Sequence, residues 1–241
     1  VNQTARFDGK VAVISGVGRV GQLGETVAHR FALLGATVVL LNRGPEVHDR
    51  AAELRGSGAQ VLAMECDLTD PVATARAADA TRDFGGGQVH ALVCLAGGFA
   101  TTGDIATGDV ADWNSQISIN LTTAYITTRA FLPLVRSGTG SIVYFASASA
   151  LPGSTVAKMA AYAASKSGVV ALMRAVAQEE RDAHVRSNAL APTAIRTQTN
   201  LDSMGSRPSY VERQDVAEWV TFLCSPPGDA VSGQVIRLGQ A

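Results

Sequence analysis

Tyr162 and Lys166 stand four residues apart in Tyr162-Ala163-Ala164-Ser165-Lys166, a spacing that sets a phenol and an ammonium on one face of a helix. The run from Ala160 to Glu180 predicts that helix. It is rich in alanine, lacks proline and repeats apolar residues at Val169, Leu172, Met173 and Val176. A free tyrosine, with a pKa of about 10, is a poor proton donor or acceptor at neutral pH. A fixed cation close by favours the phenolate and is expected to draw that pKa toward the working range. The pair reads as a general acid/base, and lysine is scarce here, because 17 of the 20 basic residues are arginine.

A second chemical signal precedes it. Ser15-Gly16-Val17-Gly18-Arg19-Val20-Gly21-Gln22-Leu23-Gly24 joins the apolar run Val11 to Ile14 to a helical stretch over Glu25 to Leu34. Gly16, Gly18 and Gly21 spell G-x-G-x-x-G, where glycines permit a tight turn and close backbone approach to a pyrophosphate at a helix N-terminus. Alone the pattern is weak; its place between strand and helix gives it meaning.

The elements that must position these residues alternate. Strand-like runs cover Val11 to Ile14, Thr37 to Leu41, Val61 to Met64, Val89 to Leu95, Ser141 to Phe145, Val185 to Leu190 and Gln234 to Leu238, with helical stretches between them. Asp70-Pro71 reads as a helix start and Gly85-Gly86-Gly87 as its end. Such alternation predicts an α/β fold: one Rossmann-like, doubly wound parallel sheet of about seven strands covered on both faces, in a single domain over 1–241. In such a sheet the loops after Ile14, Leu41, Met64, Leu95, Phe145 and Leu190 should line the site.

Composition narrows the function. A net charge of −1 offers no basic excess for nucleic acid and no polybasic tract for a membrane surface. No run approaches the roughly 20 apolar residues of a spanning helix, and Val1 to Lys10 lacks the apolar core of a signal peptide. Cys66, Cys94 and Cys224 lack metal-ligand spacing and read as buried thiols of a reducing cytosol. No metal is expected, and the chain is expected to be cytoplasmic.

The glycine loop with Asn120, Ser147, Tyr162 and Lys166, in that order, resembles the short-chain dehydrogenase/reductase family from end to end. Phe7-Asp8-Gly9-Lys10-Val11-Ala12 is similar to its opening, Trp113 and Asn120-Leu121 to its fourth-helix signature, and Val231-Ser232-Gly233-Gln234-Val235 to its last strand. The resemblance implies a nicotinamide beside Tyr162, with Lys166 holding ribose hydroxyls. It gives Ser147 a bond to the substrate oxygen, and the Asn120 backbone a water that leads from Lys166 to solvent. It further implies a cofactor cradle of Gly16, Arg19, Gln22, Leu23, Asn42, Arg43, Asp67, Leu68, Ala96, Gly97, Tyr162, Lys166, Pro192, Thr193, Ile195 and Thr197. Cys66-Asp67-Leu68-Thr69-Asp70 would receive adenine, and Ile195 and Thr197 would meet the carboxamide and phosphates.

Several positions depart from the family pattern. Val20 and Gln22 stand where glycines are usual, and Gly24 takes the place of the last one, so the loop is two residues longer. That length resembles the G-x5-S-x-A loop of the enoyl-reductase branch. Met159, however, stands where that branch would place its tyrosine. The combination predicts a carbonyl-type site behind an enoyl-reductase-like loop. Asn-Asn-Ala-Gly appears as Cys94-Leu95-Ala96-Gly97, which leaves a strand-tying hydrogen bond without its usual asparagine. The customary Pro-Gly appears as Pro192-Thr193, and the closing glycine pair as Gly239-Gln240. About ten residues of the substrate lid are absent between Thr197 and Asp215-Val216-Ala217.

The catalytic serine is Ser147 if counted from the strand, or Ser149 if counted back thirteen residues from Tyr162. Ser147 is favoured because loops accept insertions more readily than strands. Asn42 stands where an NAD-specific site needs a carboxylate at the end of the second strand, and Arg43 follows, so NADP(H) is expected to be preferred, with NAD(H) possible. The expected partner is a small carbonyl or alcohol substrate. A homotetramer is expected, with a dimer second, through the helices Leu121 to Val135 and Ala160 to Gln178. Two other readings remain. One is a β-ketoacyl-carrier-protein reductase with a basic rim of Arg129, Arg136, Arg174 and Arg207. The other is a non-catalytic dinucleotide-binding regulator, which would be expected to lack Tyr or Lys.

Overall fold

Seven short runs rich in Val, Ile, Leu and Ala build one parallel sheet in the computed structural model of the chain, which describes residues 6–206 and 209–239. The strands are β1 (Val11–Ser15), β2 (Thr37–Asn42), β3 (Val61–Glu65), β4 (Ala91–Cys94), β5 (Ser141–Phe145), β6 (Arg186–Pro192) and β7 (Val235–Leu238). Their order is β3-β2-β1-β4-β5-β6-β7, so the order reverses between β1 and β4, where a crevice opens beyond the strands' carboxyl ends.

Alternate residues of each strand feed opposite cores, as the two-residue period requires. Ile14, Leu40, Val93 and Val143 pack with α1 (Leu23–Leu33), α2 (Glu46–Gly56) and α8 (Arg213–Leu223) through Val27, Phe31, Leu54 and Val220. Val13, Leu41, Leu92 and Ile142 face α3 (Pro71–Gly85), α5 (Thr123–Ser137) and α6 (Ala160–Glu179) through Ala77, Phe131, Val169 and Met173. Each large apolar side chain buried this way contributes about 1.5–3 kcal/mol. Burial on both faces makes the strands continuously apolar.

Most elements follow the sequence reading, and the differences have local causes. β4 is shorter than Val89 to Leu95, because the Val89 amide bonds to Leu134 in α5 and the Leu95 amide turns to Ser15 Oγ. α1 begins at Leu23, two residues before Glu25. α3 starts as expected: the Asp70 carboxylate accepts from the Val72 amide at 2.8 Å, and Gly86 closes the helix at φ 69°. Between α4 (Val110–Ile117) and α5 the helix widens into a π turn over Ser118–Thr122. In the shortened lid segment, α7 (Gln198–Met204) forms a short helix, followed by a bridge between Ile195 and Val211.

Candidate active site

The loop after β1 bends so that Gly16, at φ 77°, lies against β4's exit; a side chain there would put its Cβ 2.9 Å from Ala96 Cα. Only glycine tolerates both that conformation and that approach. Gly18 is open toward β2 for a similar reason, since a Cβ there would come 2.8 Å from the Asn42 amide nitrogen. Gln22 precedes α1 in an extended conformation and its side chain makes no capping bond. The first-turn amides of α1 thus lack a side-chain cap at a helix start whose dipole favours anions.

Around this turn lies an open cleft. It has a volume of about 620 Å³ and takes its walls from the loops after β1 to β6. Every residue expected to cradle the cofactor lines it: Gly16, Arg19, Gln22, Leu23, Asn42, Arg43, Asp67, Leu68, Ala96, Gly97, Tyr162, Lys166, Pro192, Thr193, Ile195 and Thr197. Asp67 Oδ1 accepts from the Thr69 amide at 2.9 Å and hydroxyl at 2.7 Å. Those bonds, with a smaller contribution from nearby Arg43, hold its carboxyl below the usual range. Thr193 Oγ1 is buried and has no hydrogen-bond partner. A glycine cradle, an uncapped helix start and an orphaned hydroxyl together fit a dinucleotide with a pyrophosphate and a carboxamide.

Tyr162 and Lys166 sit on the first turns of α6, inside the cleft. Ser147, just past the end of β5, lines the cleft with Tyr162, and its hydroxyl opposes part of the phenol's pKa shift. Lys166 Nζ donates to the Phe145 carbonyl at 2.8 Å and lies 5.9 Å from the Tyr162 ring centre. The expected lowering of the phenol's pKa is not what the protein's own groups produce. Burial raises it, and the nearby Ser147 hydroxyl offsets only part of that rise. Burial likewise pulls Lys166 from 10.5 down to about 8. Desolvation wins because Lys166 is buried, Tyr162 is largely covered, and the ammonium bonds a carbonyl rather than the phenol.

Ser149 does not line the cleft. Its hydroxyl donates to Ser147 Oγ at 3.0 Å, and its amide lies 3.2 Å from the same oxygen. Asn120 lies in the π turn and is buried, its amide group clasping the loop after β4. Oδ1 accepts from the Gly98 amide at 3.1 Å, while Nδ2 donates to the Gly98 carbonyl at 2.9 Å and to Gln116 at 3.1 Å. A Cβ on Gly97 would meet Asn120 Oδ1 at 2.6 Å and Lys166 Nζ at 3.4 Å. Backbone, amide and ammonium therefore converge on one point.

Three contributors were not singled out in the sequence. Ser15 supplies the tie that Cys94 cannot: its Oγ donates to Val93 at 3.2 Å and accepts from the Leu95 and Ala96 amides at 3.0 Å each. Cys94 itself is buried beside Thr128, its thiol pushed up to about 12 by burial. Glu46, in α2's first turn, lines the adenosine end and lies 3.5 Å from the Asn42 side-chain nitrogen. Phe99 stands edge-on to Tyr162, with ring centres 5.0 Å apart. An acid just inside a helix start and an aromatic two residues past Gly97 were the available signals.

The basic rim is corrected. Arg136 is committed to Glu180 by two bonds of 2.6 Å at the far end of α5. Arg174 lines a separate groove with Arg181, His184 and Arg186 near the start of β6, at the opposite end of the sheet. Arg207 and the closing Gln240 lie outside the described residues. The three cysteines are buried and unpaired. No helix among the described residues is long and apolar enough to cross a membrane.

A helix-covered parallel sheet with a dinucleotide-shaped crevice and a Ser-Tyr-Lys cluster defines a nicotinamide-type oxidoreductase fold. Residues 16–238 match the family model described as enoyl-(acyl carrier protein) reductase. Galactitol 2-dehydrogenase (L-tagatose-forming) of Cereibacter sphaeroides is 32% identical over 248 residues, covering 97% of this chain and 94% of that protein. A short-chain type dehydrogenase/reductase of Mycobacterium ulcerans superposes with a TM-score of 0.88 at 27% identity, over 97% of this chain and 89% of its own. A 7α-hydroxysteroid dehydrogenase, solved with NADH and 7-oxo glycochenodeoxycholic acid, gives a TM-score of 0.87 at 28% identity, over 97% and 94%. The chain belongs to the short-chain dehydrogenase/reductase family and is an oxidoreductase of CH–OH and C=O groups.

Proposed function

We propose that the protein interconverts a carbonyl and an alcohol with NADP(H) as the preferred dinucleotide, through Ser147, Tyr162, Lys166 and Asn120. The observation that carries this is the gathering of Ser147, Tyr162 and Lys166 on the walls of one cleft, with Lys166 one turn beyond Tyr162 on α6. When bound, the dinucleotide supplies or accepts the hydride. Tyr162 Oη, a phenol that already holds its proton at pH 7, gives that proton to the carbonyl oxygen in reduction. Ser147 Oγ donates a hydrogen bond to that oxygen and stabilises its developing charge.

Lys166 spends one N–H on Phe145, which leaves two for ribose hydroxyls and for the water route along the Asn120 backbone. Asn120's side chain fixes the loop at Gly98 from within the π turn, and its backbone would hold that water. Thr193 Oγ1 and Ile195 would meet a carboxamide, with Thr197 nearby for the phosphates.

Preference for NADP(H) is supported by the uncharged Asn42 and by the exposed Arg43 and Arg19 at the adenosine end. Arg43 can grip a 2′-phosphate with two parallel bonds. Glu46 stands on the opposite side of that balance. A galactitol dehydrogenase and a hydroxysteroid dehydrogenase lie at similar distance from this chain, so carbonyl–alcohol exchange is the chemistry they share.

The single sheet supports reading 1–241 as one catalytic domain, and the reduced, buried cysteines support a cytoplasmic place. Assembly as a homotetramer through α5 and α6 is supported by Tyr125, which is 54% exposed on α5. The deciding experiment is Tyr162→Phe. It should lose the 10²–10⁴-fold (about) that a general acid contributes to kcat while still binding NADPH. Retention of more than about a tenth of activity would overturn the mechanism.

A further inference from the structure

Beside Tyr162 the cleft is lined by the apolar side chains of Phe99 and Ile119. Phe99 lines it, crossing Tyr162 edge-on with its own ring 60% exposed. Further exposed apolar side chains stand at Ile105 in the loop after β4, Val156 before α6 and Met204 at the end of α7. The first two segments are joined, because the Thr102 amide donates to the Lys158 carbonyl at 2.9 Å.

Several hydroxyls and amides of the loops and helices that follow β4, β5 and β6 already hold a hydrogen bond within the protein. Ser149 bonds Ser147 at 3.0 Å, and Ser154 Oγ bonds the Ala148 carbonyl at 2.6 Å. Thr197 Oγ1 caps the Asn200 amide at 3.2 Å, and Asn200 Nδ2 donates to Ile195 at 2.8 Å. Gln116 Oε1 receives the Ala100 amide at 3.3 Å. A polyhydroxylated substrate would surrender water at each additional hydroxyl and meet an already paired group, at about 1–3 kcal/mol apiece. An apolar ring loses nothing comparable and gains by covering Phe99.

We propose that this site selects a bulky apolar cyclic ketone, or the matching secondary alcohol, over small or polyhydroxylated carbonyl compounds, with Phe99 as the specificity-determining wall. The inference rests on the carbonyl–alcohol reading above. In the redox step one hydride and one proton add across C=O, so the ketone is reduced to the secondary alcohol as NADPH is oxidised to NADP⁺.

The test measures kcat/KM for 2-decalone, diacetyl and erythrulose at saturating NADPH, in wild type, Phe99→Ala and Phe99→Leu. Wild type should favour decalone over both others by about tenfold or more. The decalone-to-diacetyl ratio should fall about tenfold in Phe99→Ala and recover in Phe99→Leu, whatever happens to the absolute rates. Turnover of diacetyl or erythrulose at least as fast as decalone would overturn the proposal and leave the carbonyl reading standing. A ratio unmoved by Phe99→Ala would overturn it as well. Failure to reduce any of the three would overturn both.

Discussion

Replacing Lys166 by methionine, which keeps an unbranched chain of similar length, should change how stability depends on pH. Lys166 is 6% exposed, and burial lowers its pKa from 10.5 to about 8. Between those values the unfolded chain still holds the lysine proton and the folded chain has released it. The unfolded state then binds more protons, so the folded state gains stability as pH rises through this window. Below about pH 8 both forms are charged and the burial cost is at its largest. Between about pH 7 and pH 9.5 the linkage integral gives wild type a gain of about 2 kcal/mol that Lys166→Met lacks. Urea unfolding of both proteins at equal concentration, at the two ends of that range, measures the difference directly. The loss of the Phe145 bond shifts the variant's curve by a constant and leaves the slope comparison intact. If the two stabilities run parallel across the range, the ammonium is not desolvated and the geometry described for it is wrong.

Ser147→Ala should cost far more activity than Ser149→Ala, since Ser149 reaches the site only through Ser147; the reverse ranking in kcat would exchange their roles. Wild type should favour NADPH over NADH in kcat/KM. Arg43→Ala should lose roughly tenfold of that preference, about one charge-assisted bond, whereas Glu46→Gln should increase it; an NADH preference in wild type refutes the assignment. Ser15→Ala leaves the Ala96 amide without its partner, while the Leu95 amide keeps the Val93 carbonyl, and should destabilise the fold by about 1–2 kcal/mol in denaturant titrations; a change below about 0.5 would contradict the tie. Light scattering at micromolar concentration should show four chains per particle, and a monomer would refute assembly through α5 and α6.

What the sequence disclosed was local. The Tyr162–Lys166 spacing, the Asp70-Pro71 start and the glycine turn each depend on residues within one or two helical turns, so periodicity and capping chemistry expose them. Ser15 and Ala96 are 81 residues apart, and only the β1–β4 pairing brings them together. Phe99 gains its place from β4's exit meeting α6, and Arg136 loses its place at the rim because α5 carries it to the far end of the sheet. The direction of the Tyr162 shift was also beyond a residue count. It depends on how much water two buried groups have lost, not on their separation along the chain.

The Arg136–Glu180 clasp has a mechanical consequence. It joins the far ends of two helices whose near ends carry the π turn at Asn120 and the Tyr162–Lys166 face. Glu180's carboxylate is almost fully covered and sits at α6's C-terminal end, where the helix dipole disfavours an anion unless a cation answers it. The guanidinium does so, and it holds that carboxyl below its ordinary range. The helices are braced like the legs of a trestle, tied at the foot and bearing on one another at the head through Gly168 and Leu121. Such a frame resists scissoring, so adjustment to different substrates falls to the loops after β4 and before α6.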